Sequence, residues 1–104
     1  MARLASIDDL ERLLPEGAAA RLYNANGRPM PILVRRAQGA WLAEAPMGEL
    51  REWCREGGCP ERLTALRCEA IIVAAKSPRD ATESLWRVLG MLGAVMLRPV
   101  AARP

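Results

Sequence analysis

Two turn signals divide the first half of the chain into three short segments that each have the pattern of a β-strand. Residues 24–27 (Asn-Ala-Asn-Gly) favour a tight turn, and residues 38–39 (Gln-Gly) form a second turn signal. Between them, Ile32 and Val34 alternate with Arg35, as the side chains of a partly buried strand do. The pattern predicts an antiparallel β-meander with strands at 18–23, 31–37 and 40–44.

Helix signals lie on both sides of this meander. Ser6, with an acidic residue three positions later, predicts the start of a short N-terminal helix. Pro46 predicts the start of a second helix over 47–56, and Ser77 followed by Pro78 predicts a third. The prolines at 29 and 31 indicate an edge position or a bulge at the start of the second strand.

The second half of the chain contains the longest uninterrupted strand signal. Within residues 66–75, Ala70–Ala75 is apolar on both faces, which is typical of a central strand covered on both sides. Gly93 then leaves two alternatives: the third helix ends there and Ala94–Val100 forms a last strand, or the helix continues to Arg98. The apolar spacing after Gly93 favours the strand. We expect residues 101–104 to be a loose tail.

These elements predict a single small α+β domain over residues 1–104. Its order is an N-terminal helix, an antiparallel β-meander, then helix, strand, helix and a final strand. A chain of 104 residues suits one domain with one core. Hydrophobic residues make up 51% of the chain, which argues against intrinsic disorder. The absence of phenylalanine predicts an aliphatic core.

The chain contains no histidine. Histidine is the commonest general base, the commonest metal ligand and a member of most nucleophilic triads. No glycine-rich phosphate-binding loop is present either. We therefore expect a non-enzymatic protein without a cofactor and without a small-molecule substrate.

Cys54, Cys59 and Cys68 are the only cysteines. Three thiolates resemble part of a zinc or iron–sulfur site, but a structural zinc ion takes four ligands. Cys54 and Cys68 fall in predicted core positions, and Cys59 falls in a loop between arginines and glutamates with opposite effects on its pKa. A thiol or metal protein centred on Cys59 is the third functional alternative.

An arginine-rich stretch supports a second alternative, an RNA- or DNA-binding module. Between Gly17 and Glu44 the chain has four arginines and two aromatic residues but no acidic residue. An arginine and aromatic surface on a β-sheet is typical of nucleic-acid binding. A general preference for arginine in the source genome explains the same composition. The predicted contact residues are Arg21, Tyr23, Arg28, Arg35, Arg36 and Trp41.

Protein association is the leading prediction. Residues 88–97 are apolar on nearly every side, which is more apolar surface than so small a domain readily buries. The meander also supplies strand edges that pair with other chains. We expect a small accessory, regulatory or inhibitory protein that binds a protein partner and forms a homo-oligomer. The predicted interface residues are Trp86, Leu89, Met91, Val95, Met96 and Leu97.

The sequence also predicts a cytoplasmic protein without membrane contact. Acidic residues lie near its N-terminus, where a secretory signal would be apolar. The longest uncharged apolar run is shorter than the roughly 20 residues that a membrane-spanning helix needs.

Overall fold

The computed structural model describes residues 4–57, 63 and 65–104, and these residues contain a five-stranded antiparallel sheet. The strands are β1 (Ala19–Tyr23), β2 (Pro29–Ala37), β3 (Ala40–Pro46), β4 (Ala70–Ala75) and β5 (Ala101–Arg103). They lie in the order β4-β3-β2-β1-β5. The predicted α+β class and the meander of the first three strands are confirmed.

The described helices are α1 (Leu10–Leu13), which follows a 3₁₀ turn at Ile7–Asp9, α2 (Met47–Gly57) and α3 (Pro78–Met91). A serine caps the first residues of two of these helical segments. The Ser6 hydroxyl accepts the backbone N–H of Asp9 at 3.3 Å, and the Ser77 hydroxyl accepts that of Asp80 at 3.1 Å. Both predicted helix starts are therefore confirmed, because a serine oxygen satisfies a backbone donor that the helix leaves free.

The turn between β1 and β2 is built by its first asparagine. Asn24 is buried, and its side-chain oxygen accepts the backbone N–H groups of Asn26 and Arg28, each at 2.9 Å. Gly27 has a φ of 78°, a conformation that favours glycine. The predicted turn therefore follows from local side-chain chemistry.

One face of the sheet carries the core, and α3 covers it. This helix contacts β4, β3 and β2, and buries Ala81, Leu85 and Leu89. Burial of a whole leucine side chain contributes roughly 1.5–3 kcal/mol to folding. The buried residues of the strands alternate with outward-facing neighbours, as expected for a sheet with one covered face. They include Ala20, Leu22, Ile32, Val34, Trp41, Ala43, Ala45 and Ala102.

The proline-rich start of β2 is a bulge and not an edge. The β1–β2 register pairs Arg21 with Leu33 and Tyr23 with Pro29, so β2 uses more residues than β1 over this stretch. The irregularity accommodates Pro31, which has no N–H for the ladder. The alternative prediction of an edge position is wrong, because β2 lies between β1 and β3.

β4 lies at the edge of the sheet, although its apolar sequence predicted a central strand. α3 packs on one of its faces. On the other face Ile72 is 50% exposed and Ala74 is also exposed. The apolar run therefore belongs to a strand with one covered face and one accessible face.

Gly93 ends α3, as one of the two alternatives predicted. Its φ is 85°, its N–H donates to the Gly90 carbonyl at 2.9 Å, and the Ala94 N–H donates to the Leu89 carbonyl at 2.9 Å. These two bonds form the glycine-centred Schellman motif that satisfies the last helical carbonyls. The helix therefore does not continue to Arg98.

Two predictions about the C-terminal residues are wrong. Ala94–Val100 does not form a strand, and Ala101–Arg103, predicted as a loose tail, forms β5. After α3 the chain has to reach the sheet edge opposite β4 before it meets β1. There the Val100 N–H donates to the Tyr23 carbonyl at 3.0 Å. Pro99 is buried on the way and has no N–H to donate. Within the described residues, no helix combines the length and apolarity needed to cross a lipid bilayer.

Candidate functional site

Arg21 and Arg28 line a groove between the start of β2 and helix α2. Arg21 forms an ion pair with Glu49 at 2.9 Å, and Arg28 forms one with Glu56. The Arg28 guanidinium also lies 4.5 Å from the centre of the Trp53 ring. The groove has a volume of about 470 Å³, and its lining includes a further carboxylate, Glu52. Among the described residues of its lining, carboxylates outnumber guanidinium groups, which disfavours the binding of an anion.

Tyr23 and Arg35 lie on the face of the sheet opposite α3. Arg35 is 3.6 Å from Glu44 on the neighbouring strand. The Arg103 guanidinium lies 5.1 Å from the centre of the Tyr23 ring and covers it. The aromatic face of Tyr23 is thus partly occupied by a neighbouring cation.

Arg36 and Trp41 lie opposite each other on the covered face. The Arg36 guanidinium is 4.5 Å from the Trp41 ring centre, and it donates to the Glu11 carbonyl at 2.6 Å. Trp41 is only 5% exposed. A base cannot stack on a ring that is buried in this way, so Trp41 acts as a core residue.

Of the six predicted nucleic-acid contacts, Arg21, Tyr23 and Arg35 share the face of the sheet opposite α3, whereas Arg28 lies beside α2 and Arg36 and Trp41 lie on the covered face. Each of the four arginines contacts an acceptor within the chain, and three of these acceptors are carboxylates. Those carboxylates belong to Glu44, Glu49 and Glu56, which follow the acid-free stretch in sequence. The helical spacing of the glutamates in α2 indicates an acidic helix face, and the packing of α2 places that face beside Arg21 and Arg28.

The described cysteines differ from each other. Cys54 is buried in α2, as predicted, and is disulfide-bonded. Cys68 has a free thiol and is exposed, so its predicted core position is wrong. It precedes β4, where the chain has not yet joined the sheet. The predictions for Cys59 lie outside the described residues, and within the described part no cluster of three or more potential metal ligands occurs.

The predicted protein interface separates into buried and exposed residues. Leu89 and Met96 are buried, and Trp86 is half-buried. Met91, Val95 and Leu97 are 72%, 85% and 57% exposed. Leu89 faces the core because it lies one turn after Leu85 on the same side of α3.

Sequence reasoning missed Val100, which is 53% exposed. Of the seven large hydrophobic side chains that are exposed in the described residues, four lie between positions 91 and 100. We call these four the apolar segment: Met91, Val95, Leu97 and Val100.

The backbone of the apolar segment is held in place at several points. The Schellman motif holds its start, and the bond from Val100 N–H to Tyr23 holds its end. Between them, Met96 is buried and Arg98 forms an ion pair with Glu83 at 2.6 Å. The exposed side chains are thus presented by an anchored segment, which reduces the conformational entropy lost on binding.

A small cavity lies beside the end of the apolar segment. It has a volume of about 320 Å³ and is lined by residues that include Ile7, Arg79, Arg98 and Val100. Arg79 donates two hydrogen bonds to Asp8, at 2.9 and 2.6 Å. These bonds hold the pKa of the Asp8 carboxyl below its usual value and raise the pKa of Arg79. The rim of the apolar segment therefore combines arginines with paired carboxylates.

No protein-family model, curated protein or solved structure matches this chain.

Proposed function

We propose that this chain is a non-enzymatic binding module that acts by protein–protein interaction, as accessory, regulatory or inhibitory proteins do. The observation that carries the proposal is the apolar segment, where four large hydrophobic side chains are exposed on an anchored backbone. Exposed apolar groups of this kind mark surfaces that another protein covers. The lack of histidine in the sequence supports a role without catalysis.

The partner surface expected for this segment is apolar at its centre and carries both charges at its rim, because Arg79 and Arg98 are each paired with a carboxylate. Met91, Val95 and Leu97 supply the apolar contacts, and Arg98 follows them in sequence. Apolar contacts at the centre of an interface provide most of the affinity, and rim charges mainly increase the rate of encounter. We also propose that the chain self-associates, through this segment or through an exposed strand edge.

A nucleic-acid surface has less support. The arginines predicted for it pair with acceptors of the chain itself, and Trp41 is buried. Binding to phosphate would have to replace those ion pairs, which reduces the gain from each contact. This function is the alternative outcome of the experiment below.

We propose a cytoplasmic location for the module, on the basis of the sequence. The disulfide at Cys54 argues against it, because disulfides are rare in cytosolic proteins. Alkylation of free thiols in host lysate, before and after reduction, tests the location. A reduced Cys54 in the host supports the cytoplasm, and an oxidised one rejects it.

The function is tested by affinity capture from host lysate with three tagged chains: the native chain, a Val95→Asp/Leu97→Asp variant and an Arg35→Ala variant. Both sets of changes lie at exposed positions, so circular dichroism should show native folding. Half of each lysate is treated with nuclease. We expect a defined protein that survives nuclease, is retained by Arg35→Ala and is lost by the double variant.

The binding step is then measured with the purified partner. The double variant should weaken its affinity at least about tenfold, because two charges replace apolar contacts at the interface centre. Capture of nucleic acid that is lost after nuclease treatment and with Arg35→Ala would overturn the proposal in favour of the alternative.

A further inference from the structure

β4 is an edge strand, and among the described residues no further strand pairs with its outer side. On one side it pairs with β3 through six residue pairs, from Pro46–Ala70 to Trp41–Ala75, without a register shift. On its other side, no strand of the described part of the chain is present. The backbone groups along this side are therefore available to a strand from another molecule.

One hydrogen bond identifies which backbone groups face the open side. The Met47 N–H donates to the Glu69 carbonyl at 2.8 Å, and these two residues are the next opposite pair after Pro46 and Ala70. In an antiparallel ladder, hydrogen-bonded and non-hydrogen-bonded pairs alternate. Every second residue of β4 after Glu69 is thus bonded to β3. The residues between them direct N–H and C=O to the open side, and we call them the open-edge residues: Ala70, Ile72 and Ala74.

Within the described residues, this edge lacks the features that normally prevent pairing. β4 contains no charged residue, proline or glycine, and no bulge interrupts it. Edge strands are usually protected by lysine, proline, a bulge or a covering segment. A regular, uncharged strand with β-branched residues favours addition of another strand.

We propose that β4 pairs with β4 of a second copy of this chain, antiparallel and about a twofold axis at Ile72. In this register Ile72 lies opposite Ile72 of the second copy, and Ala70 lies opposite Ala74. No other register within β4 joins all three open-edge residues of both copies. Each hydrogen-bonded pair exchanges two bonds, so the interface gains about six backbone hydrogen bonds. The two sheets become one continuous sheet.

Side chains on both faces match in this register. On the accessible face, the half-exposed Ile72 contacts its own counterpart. On the face covered by α3, Ile71 lies opposite Val73 of the second copy, and both are only half-buried in one chain. Cross-strand pairs of β-branched residues stabilise antiparallel strands. The dimer therefore covers apolar surface that the single chain leaves accessible.

The charges that flank β4 also favour an antiparallel copy. Glu69 precedes the strand and Lys76 follows it, and both are exposed. An antiparallel copy brings Glu69 of each chain to the same end of the interface as Lys76 of the other. A parallel copy would bring like charges together, which is unfavourable.

This inference rests on the self-association in the proposed function and not on the apolar segment. β4 and the end of the apolar segment lie at opposite edges of the sheet. β4 forms one edge, and Val100 bonds to β1, which lies next to β5 at the other edge. The β4 dimer and the binding of a different protein can therefore be disproved independently.

The first test is the mass of the full chain by light scattering after size exclusion, over a range of concentrations. We expect twice the chain mass of 11.4 kDa for the native chain and a monomer for Ile72→Lys. Leu4→Lys is the matched control, since it adds the same charge to an exposed apolar residue next to Ala5 at the β5 edge, and it should stay dimeric. A native chain that is monomeric at every concentration overturns the inference.

Two outcomes separate this dimer from the apolar segment. If Val95→Lys dissociates the dimer and Ile72→Lys does not, the copies associate through the apolar segment and the β4 dimer is wrong. If the native chain is monomeric but Val95→Asp/Leu97→Asp still loses a protein partner, the proposed function stands without this dimer. Circular dichroism confirms that each variant is folded.

The register is tested by disulfide crosslinking in a Cys68→Ser background. Opposite residues in a hydrogen-bonded antiparallel pair have Cα atoms about 5.5 Å apart, within the range of a disulfide. With oxidised glutathione as the oxidant, Ile72→Cys alone should form a covalent dimer. Ala70→Cys and Ala74→Cys should crosslink when mixed but not separately. Faster crosslinking of Ala74→Cys with itself would overturn the register.

Discussion

The two edges of the sheet differ in what covers them. At the β5 edge, Ala5 and Ala102 exchange two backbone hydrogen bonds, both 2.8 Å long. The segment that contains Ala5 is held against α3 by the ion pair between Asp8 and Arg79. At the β4 edge, in the described residues, no backbone of the chain takes this position. Among the described residues, the chain thus satisfies one edge itself, and the proposed dimer would pair the other.

The same difference appears in the packing beside each edge. Ala102 of β5 and its neighbour Leu22 on β1 are fully buried. The residues of β4 on the covered face, Ile71 and Val73, are only half-buried. An edge closed by the chain itself is therefore part of the core, and the open edge retains accessible apolar surface.

The largest difference in the free energy of unfolding is expected when one alanine at each edge is replaced by glutamate. Ala102→Glu places an unpaired charge in the core and should lower the free energy of unfolding by about 3–5 kcal/mol. Ala74→Glu adds the charge on the accessible face and should change it by about 0.5 kcal/mol or less. Urea unfolding at low protein concentration measures both. Equal losses would show that the β4 edge is as closely packed as the β5 edge.

Truncation of an apolar side chain should also destabilise the protein more beside the β5 edge than at the β4 edge. Leu22→Ala should lower the free energy of unfolding by about 3 kcal/mol, because it loses buried surface and leaves a cavity. Ile72→Ala should lower it by about 1 kcal/mol or less, because half of that side chain is already exposed. A larger loss of unfolding free energy in monomeric Ile72→Ala than in Leu22→Ala would contradict the looser packing of the β4 edge.

The turn that sends the chain to the β5 edge should respond to loss of glycine. Gly93→Ala places a side chain at a φ of 85° and should destabilise the protein by about 1 kcal/mol. Gly90→Ala is the matched control, since this helical position is exposed and has open space around it. It should stabilise the protein by about 0.5–1 kcal/mol. Thermal unfolding that shows the same sign for both would contradict this explanation of the turn.

The smallest effect is expected from loss of the Asp8–Arg79 ion pair, which helps to hold Ala5 against the edge of β5. Arg79 lowers the pKa of Asp8, so the ion pair stabilises the folded state above the ordinary aspartate pKa of about 3.9 and is lost as the pH falls through the lowered value. Asp8→Asn should speed hydrogen exchange of the Ala5 and Ala102 amides at neutral pH.

The same variant should remove the acid-dependent part of that exchange. The native chain should show weaker protection of these two amides, measured as the ratio of the intrinsic to the observed exchange rate, as Asp8 is protonated, and Asp8→Asn should show no such step. Glu52→Gln, which alters an exposed ion pair on α2, is the control and should leave both amides unchanged. Unchanged exchange in Asp8→Asn would mean that the backbone bonds alone hold the edge.

Sequence reasoning succeeded where the signal was local. Ser6, Ser77 and Gly93 act on backbone groups within one helical turn, so their effects are visible in a few consecutive residues. It failed for Arg21 and Arg28, because the acidic residues that pair with them belong to a helix that follows two more strands. It found three exposed residues of the apolar segment but also included Leu89 and Met96, which only packing could identify as buried.

The sequence by itself determined the helix starts, the turns of the meander, the end of α3 and the uncharged composition of β4. These features depend on side chains that interact with nearby backbone or on composition alone. The tertiary structure alone decided that β4 is an edge, that residues 101–103 pair with β1, and which arginines are neutralised. The physical reason is that strand order and ion pairing join residues far apart in the chain, and many pairings are compatible with the same local pattern.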